Sequence, residues 1–186
     1  ILGNNYAIDV YGIPPNTEIE YYFKATASSG KVINRPIVAP SGGFKFTLDL
    51  AYPSSQSIEL PYGWSLISSY LDPNQSVDQL FASIEDNIVI VKNNPGMAYL
   101  PEWGYNGIGA FNSLEGYFVK TNSSTILNID GDFMVPEENP IPLSNGWSAV
   151  SYLRIDEVPA EHIFAELVNE NNLVIVKNHL GQAYLP

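Results

Sequence analysis

Four carboxylates, Glu102, Glu115, Asp130 and Asp132, fall near loops and strand ends, where an acid and a base could face each other across a glycosidic bond. Their spacing does not distinguish them from solvated acids in turns. Asp130 and Asp132 flank a glycine in NIDGD (residues 128–132). Calcium takes several oxygen ligands from such turning loops, so a structural calcium at these two residues competes with a plain acidic turn. The full acidic-loop pattern with a distal glutamate is absent, and no other cofactor is implied. His162 and His179 have no His or Cys at metal-ligand spacing. His162 reads as a helix residue beside an apolar stripe and His179 as a turn residue. No G-x-S-x-G elbow accompanies the serines, and Ser65 and Ser148 read as polar strand positions. Gly107-Ile108-Gly109 lacks the strand-to-helix setting that gives glycines a phosphate-binding role. No catalytic residue is assigned, and the chain is read as non-enzymatic.

The aromatics make the one binding-site argument. Tyr99, Trp103, Tyr105 and Asn106 cluster in AYLPEWGYNG. Rings of this kind stack on sugar faces while an amide bonds hydroxyls, so these four are the candidate glycan contacts. The alternative is that the rings close a core or seat one unit against the next. Trp64 and Trp147 both follow a glycine and precede a serine, and are expected in the core.

Charge removes whole classes of partner. Twenty acidic against eight basic residues leave a net charge of −12. Such a surface repels polyphosphate, which argues against nucleic acid, and anionic membranes are disfavoured in the same way. The longest apolar run, IVIV, is far shorter than the roughly 20 residues a membrane helix needs. The absence of cysteine excludes disulfides and thiolate chemistry. Twelve Tyr, with 14 Gly and 14 Pro, suit short strands joined by tight turns.

A duplication organises the rest of the chain. Residues 87–101 (NIVIVKNNPGMAYLP) and 172–186 (NLVIVKNHLGQAYLP) agree at eleven of fifteen positions. Gly63-Trp64-Ser65 recurs as Gly146-Trp147-Ser148 and Phe81 as Phe164, an offset of 83, which becomes 85 at VIVKN. The unit is therefore about 84 residues long. Each copy opens with a strand, WSLISSYL or WSAVSYLR. A short helix follows, with Val77, Leu80, Phe81 and Ile84 on one stripe and Ala160, Ile163, Phe164 and Leu167 on the other. Ser76 and Gln79 predict a capping box for the first helix only. A hairpin follows, with NPG or HLG at its turn, and the first copy alone continues through LEGYFVKT and TILNID.

The first stretch differs. IEYYFKAT, a turn at SSGK, KVINRP and FKFTLDL read as the last strands of an immunoglobulin-like sandwich, a fold that needs about seven. The expected fold class is thus mainly β. A partial sandwich over 1–59 precedes a complete repeat unit over 60–144 and a truncated one over 145–186, each with one short helix. The chain is expected to be a window onto a longer modular protein.

Taken together, GWSLISSYLDP, VIVKNNPGMAYLPEWGYNGIG, LEGYFVK and GWSAVSYLR resemble a paired repeat of large secreted surface proteins of the Bacteroidota. The resemblance covers residues 60–186. It implies export by the type IX system, an extracellular or cell-surface location, and a non-catalytic structural or adhesive role. It also implies neighbouring domains of the same polypeptide, surface glycans or secretion and attachment machinery as partners. The front segment is similar to sandwich domains that follow the catalytic domains of some exported deiminases and peptidases. A carbohydrate-binding module, or the accessory region of such an enzyme, are the alternatives.

Overall fold

A computed structural model describes residue 13 and residues 16–47 and 52–186. The protein is mainly β, and it divides into two compact units, Ile1–Tyr52 and Pro53–Pro186. The remaining residues carry part of the expected front sandwich, including the end of FKFTLDL, and lie outside the description.

In the first unit, β1 (Glu18–Tyr21) pairs antiparallel with β4 (Phe44–Thr47), and β2 (Phe23–Thr26) with β3 (Val32–Arg35). Gly30 turns the second pair at φ +82°, a conformation open to glycine at no steric cost. Tyr21, Phe23, Phe44 and Phe46 group with ring centroids 5.5–6.3 Å apart. All four remain exposed, and Ala39 is the one buried apolar side chain among the described residues of this unit.

The second unit holds the core. Its strands are β5 (Ser55–Leu60), β6 (Gly63–Ile67), β7 (Leu71–Asp72), β8 (Ile88–Lys92), β9 (Ala98–Leu100), β10 (Tyr105–Asn106), β11 (Tyr117–Thr121), β12 (Thr125–Asp130) and β13 (Asp132–Phe133). Among the described residues they form an antiparallel sheet ordered β10-β9-β8-β11-β6 and the pairs β5–β12 and β7–β13. A boundary at 59/60 would cut β5, which belongs here through its full register with β12, Ser55 opposite Asp130 to Leu60 opposite Thr125.

Alternation along the strands sends one face of each into a common core. Tyr117, Val119 and Thr121 of β11, Leu127 and Ile129 of β12, Leu60 of β5 and Val91 of β8 are all buried. The expected helical stripe closes this core: Val77, Leu80, Phe81 and Ile84 are buried in it. The helix itself, α1 (Val77–Phe81), is short, and the chain tightens into a 3₁₀ segment, Ala82–Asn87. Its capping box is formed, with the Ser76 N–H donating to Gln79 Oε1 at 3.1 Å.

The same alternation corrects one expectation. With Ser65 and Ile67 turned inward, Trp64 must lie on the outer face, where it is exposed. Lys120 on the neighbouring strand places its Nζ 5.9 Å from the Trp64 ring centroid, a cation–π contact. Trp147 is exposed as well, beneath Lys177 Nζ at 5.6 Å. The tryptophans of both copies are surface residues.

The second copy contains α2 (Ala160–Ile163), α3 (Ala165–Asn169), β14 (Val176–Lys177) and β15 (Ala183–Tyr184). It leans on the first through Gly116 N–H to Ala149 O (2.9 Å) and Ser151 Oγ to Ser69 O (3.2 Å). Its helical stripe is only half-buried. Phe81→Ala should therefore cost about 3–5 kcal/mol, the usual loss for a buried phenylalanine. Phe164→Ala at the matching position should cost less than half as much, and urea unfolding of the two variants measures the difference.

Candidate functional site

The aromatic loop begins where β9 ends. A 3₁₀ turn, Pro101–Trp103, is closed by Gly104 at φ +57°, and β10 folds back so that Tyr105 faces Leu100 and Asn106 faces Tyr99. This folding separates the four candidate residues. Trp103 and Tyr105 stand in solvent, 74% and 54% exposed. Tyr99 is 3% exposed, and its hydroxyl donates to Glu85 Oε1 at 3.3 Å. Burial, reinforced by the Glu85 charge, pushes the Tyr99 phenol up to about 12.

Asn106 is spent on the loop itself. Its Oδ1 accepts from the Ile108 and Gly109 amides at 3.1 and 2.9 Å, and its Nδ2 donates to Asp78 Oδ1 at 2.6 Å. Gly109 O then accepts from the Val77 amide at 2.9 Å, so the loop is sewn to the start of α1. The Ser76 hydroxyl, and after it the Asn106 amide, hold the Asp78 carboxyl below its ordinary range. Two exposed rings thus project from a loop whose amide side chain is already satisfied. They offer stacking faces, and the Asn106 amide is engaged in the loop's own hydrogen bonds.

Asp130 and Asp132 both lie at the surface, on either side of the step from β12 to β13. Gly131 is required there because a Cβ would run into the Asp72 carbonyl. Asp72 faces Asp132 across the β7–β13 pair, and its Oδ1 accepts from the Asn74 amide at 2.9 Å. Among the described residues, no group of three or more His, Asp or Glu side chains comes together to hold a metal ion. Glu102 is exposed beside Trp103. Glu115 accepts from the Tyr117 hydroxyl at 3.5 Å and from the Asn94 amide at 3.4 Å. His162 lies in α2, and His179 borders a groove of 440 Å³ whose other walls include Gln56, Ile58, Pro61, Ser65 and Ile67. That groove is open, and its remaining walls are Ser57, Glu59, Leu66 and Ser68, of which Ser57 donates to Asn128 Oδ1 at 2.7 Å and Ser68 accepts from the Tyr152 amide at 3.1 Å.

Sequence reasoning missed Tyr117. It is fully buried, stacks on Phe111 at 4.6 Å between centroids, and accepts from the Asn112 amide at 2.7 Å. Burial drives its phenol well above the ordinary tyrosine range. The signal available was its place in the alternation Y-x-V-x-T, with Thr121 also buried.

Both tyrosines have folded-state pKa values above the unfolded one, so they stabilise the fold while neutral. Their contribution is complete below about pH 10 and is lost as the pH rises through the raised values. Stability measured by denaturant should hold level to about pH 9.5 and fall by pH 12, with a shallower fall in Tyr99→Phe. Separately, Asn106→Ala should cost about 1–3 kcal/mol by orphaning loop amides, and Trp103→Ala about 0.5 kcal/mol or less.

Compared with protein-family models, with curated proteins and with solved structures, the chain matches none.

Proposed function

We propose that this chain is a non-catalytic structural or adhesive module of a large secreted cell-surface protein, spacing or displaying attached domains. The observation that carries this reading is the duplicated segment, whose two copies share backbone detail as well as residues. Gly63 and Gly146 precede their tryptophans at φ +101° and +103°. Asn93 and Asn178 organise their turns alike. Each side-chain Oδ1 accepts from the amide four residues on, at 2.8 and 3.0 Å. Each backbone N–H donates to the carbonyl of that same residue, at 3.1 Å in both. Repeated units add length and contact sites without new chemistry. The resemblance to paired repeats of type IX-exported Bacteroidota proteins supplies the setting, with an immunoglobulin-like domain in front. An accessory region beside a deiminase or peptidase domain fits the same features.

Antibodies against residues 60–186 should label intact cells of the source organism. Labelling that appears only after lysis would overturn a surface role.

The exposed Trp103 and Tyr105 favour a second reading, a carbohydrate-binding module. Affinity electrophoresis through soluble polysaccharides separates the two. Under the spacer reading the protein and Trp103→Ala migrate alike in every gel, whereas retardation that Trp103→Ala abolishes would establish the module.

A further inference from the structure

The outer face of the five-stranded sheet gathers cations and aromatic rings in an acidic chain. With Ser65, Val91 and Val119 turned inward, Trp64 of β6, Phe118 and Lys120 of β11 and Lys92 of β8 share that face. Lys120 lies opposite Trp64, and Lys92 opposite Phe118, so each ring has a lysine beside it on the next strand. Trp64 is 53% exposed and Phe118 43%. Trp64, Lys92 and Phe118, together with Asn93, Asn94 and Gly96, line an open groove of 350 Å³, within the roughly 300–1,000 Å³ of small-molecule sites.

Charge is placed here against the trend of a chain with 20 acidic and eight basic residues. Among the described residues neither Lys92 nor Lys120 is in an ion pair, whereas Lys45 and Arg154 both are. Amides add to the groove. Asn93 is 4% exposed, and its Oδ1 accepts from the Met97 amide at 2.8 Å. Among the described residues its Nδ2 meets no protein acceptor. In the second copy Gln182 Oε1 takes the equivalent donor, Asn178 Nδ2, at 2.7 Å, but the Met97 side chain has no oxygen. Asn94 spends its Oδ1 on the Ala149 amide at 2.8 Å, and its own amide donates to Glu115 Oε2 at 3.4 Å.

The duplication singles out the same side chains. Trp64 and Lys92 recur as Trp147 and Lys177, while the exposed turn positions change, Asn94 to His179, Pro95 to Leu180 and Met97 to Gln182. Trp64 and Lys92 are both exposed, so core packing does not account for their recurrence.

We propose that this groove binds the uronic-acid units of a polysaccharide. A sugar ring lays its C–H face on Trp64 or Phe118, Lys92 and Lys120 take the carboxylate, and Asn93 Nδ2 donates to a hydroxyl. β11 is paired along both edges, so the face presents side chains and no edge of β11 for a peptide strand. Being open, the groove admits the interior of a sugar chain as well as its end. The site is separate from the loop of Trp103 and Tyr105, and the inference requires no role in display.

Affinity electrophoresis of the full chain through polygalacturonate, alginate and hyaluronate tests this, with dextran and polyglutamate as comparison gels. At least one uronate gel should retard the protein more than either comparison gel does. Trp64→Ala and the double variant Lys92→Gln/Lys120→Gln should each raise the dissociation constant read from that gel at least about tenfold. The urea midpoint of each variant reports that the sheet is intact. No retardation in any uronate gel overturns the proposal. Equal retardation by dextran or by polyglutamate also overturns it, since the carboxylate or the sugar would then be dispensable. So does retardation that Trp103→Ala abolishes and Trp64→Ala leaves intact, which would belong to the loop.

Discussion

β11 is the strand on which the second unit depends. It is paired along both edges, to β8 on one side and β6 on the other, so removing it would leave β6 without a partner and β8 with one open edge. Its inward residues Tyr117, Val119 and Thr121 are all fully buried; Tyr117 and Val119 join α1 residues and the inner face of β12 in one cluster, and the Thr121 hydroxyl donates to the Pro61 carbonyl. Hydrogen bonding and apolar burial here reinforce each other. The ladder sets the register, and the register decides that Tyr117 and Val119, not Phe118 and Lys120, enter the core. The Tyr117 phenol then ties the turn at Asn112, which links the sheet to the loop that follows β10.

That loop shows how a stretch rich in aromatics and amides can serve construction more than recognition. Asn106 satisfies two loop amides and reaches Asp78 at the start of α1, and Tyr99 turns its ring inward toward Glu85. Buried or half-buried polar groups left without partners would cost more than the loop gains, so the amide side chain is drawn into local bonding. Trp103 and Tyr105 remain outside because β10 is only two residues long and the turn before it bulges from the sheet edge. Gly131 plays a comparable structural part at the other end, where β12 must pass within contact of the Asp72 carbonyl.

The second copy is a natural comparison inside one chain. It repeats the glycine conformations and the asparagine-centred turn almost bond for bond, yet its helix stripe and hairpin side chains are less covered. Local sequence is enough for the turns, whose hydrogen bonds close within five residues. It is not enough for burial, which needs a partner strand distant in sequence. The serine and backbone contacts from Ala149 to Tyr152 tie the opening stretch of the second copy to the first.

The sequence by itself determined the duplication, the capping box at Ser76, the apolar stripe of α1, the hairpin about Asn93 and the β-rich character, because each is written in short-range spacing. It also carried the net charge of −12. Tertiary structure alone decided that β12 leaves β11 to pair with β5, that the tryptophans of both copies face outward, and that the four aromatic-loop residues part company. The reason is physical. An alternating strand states that one face is buried without stating which strand lies beside it, and a Trp beside a Ser can point either way until the register of the whole sheet is set. Whether a side chain is a binding surface or a piece of core is fixed by partners many residues away, and those contacts exist only once the chain has folded.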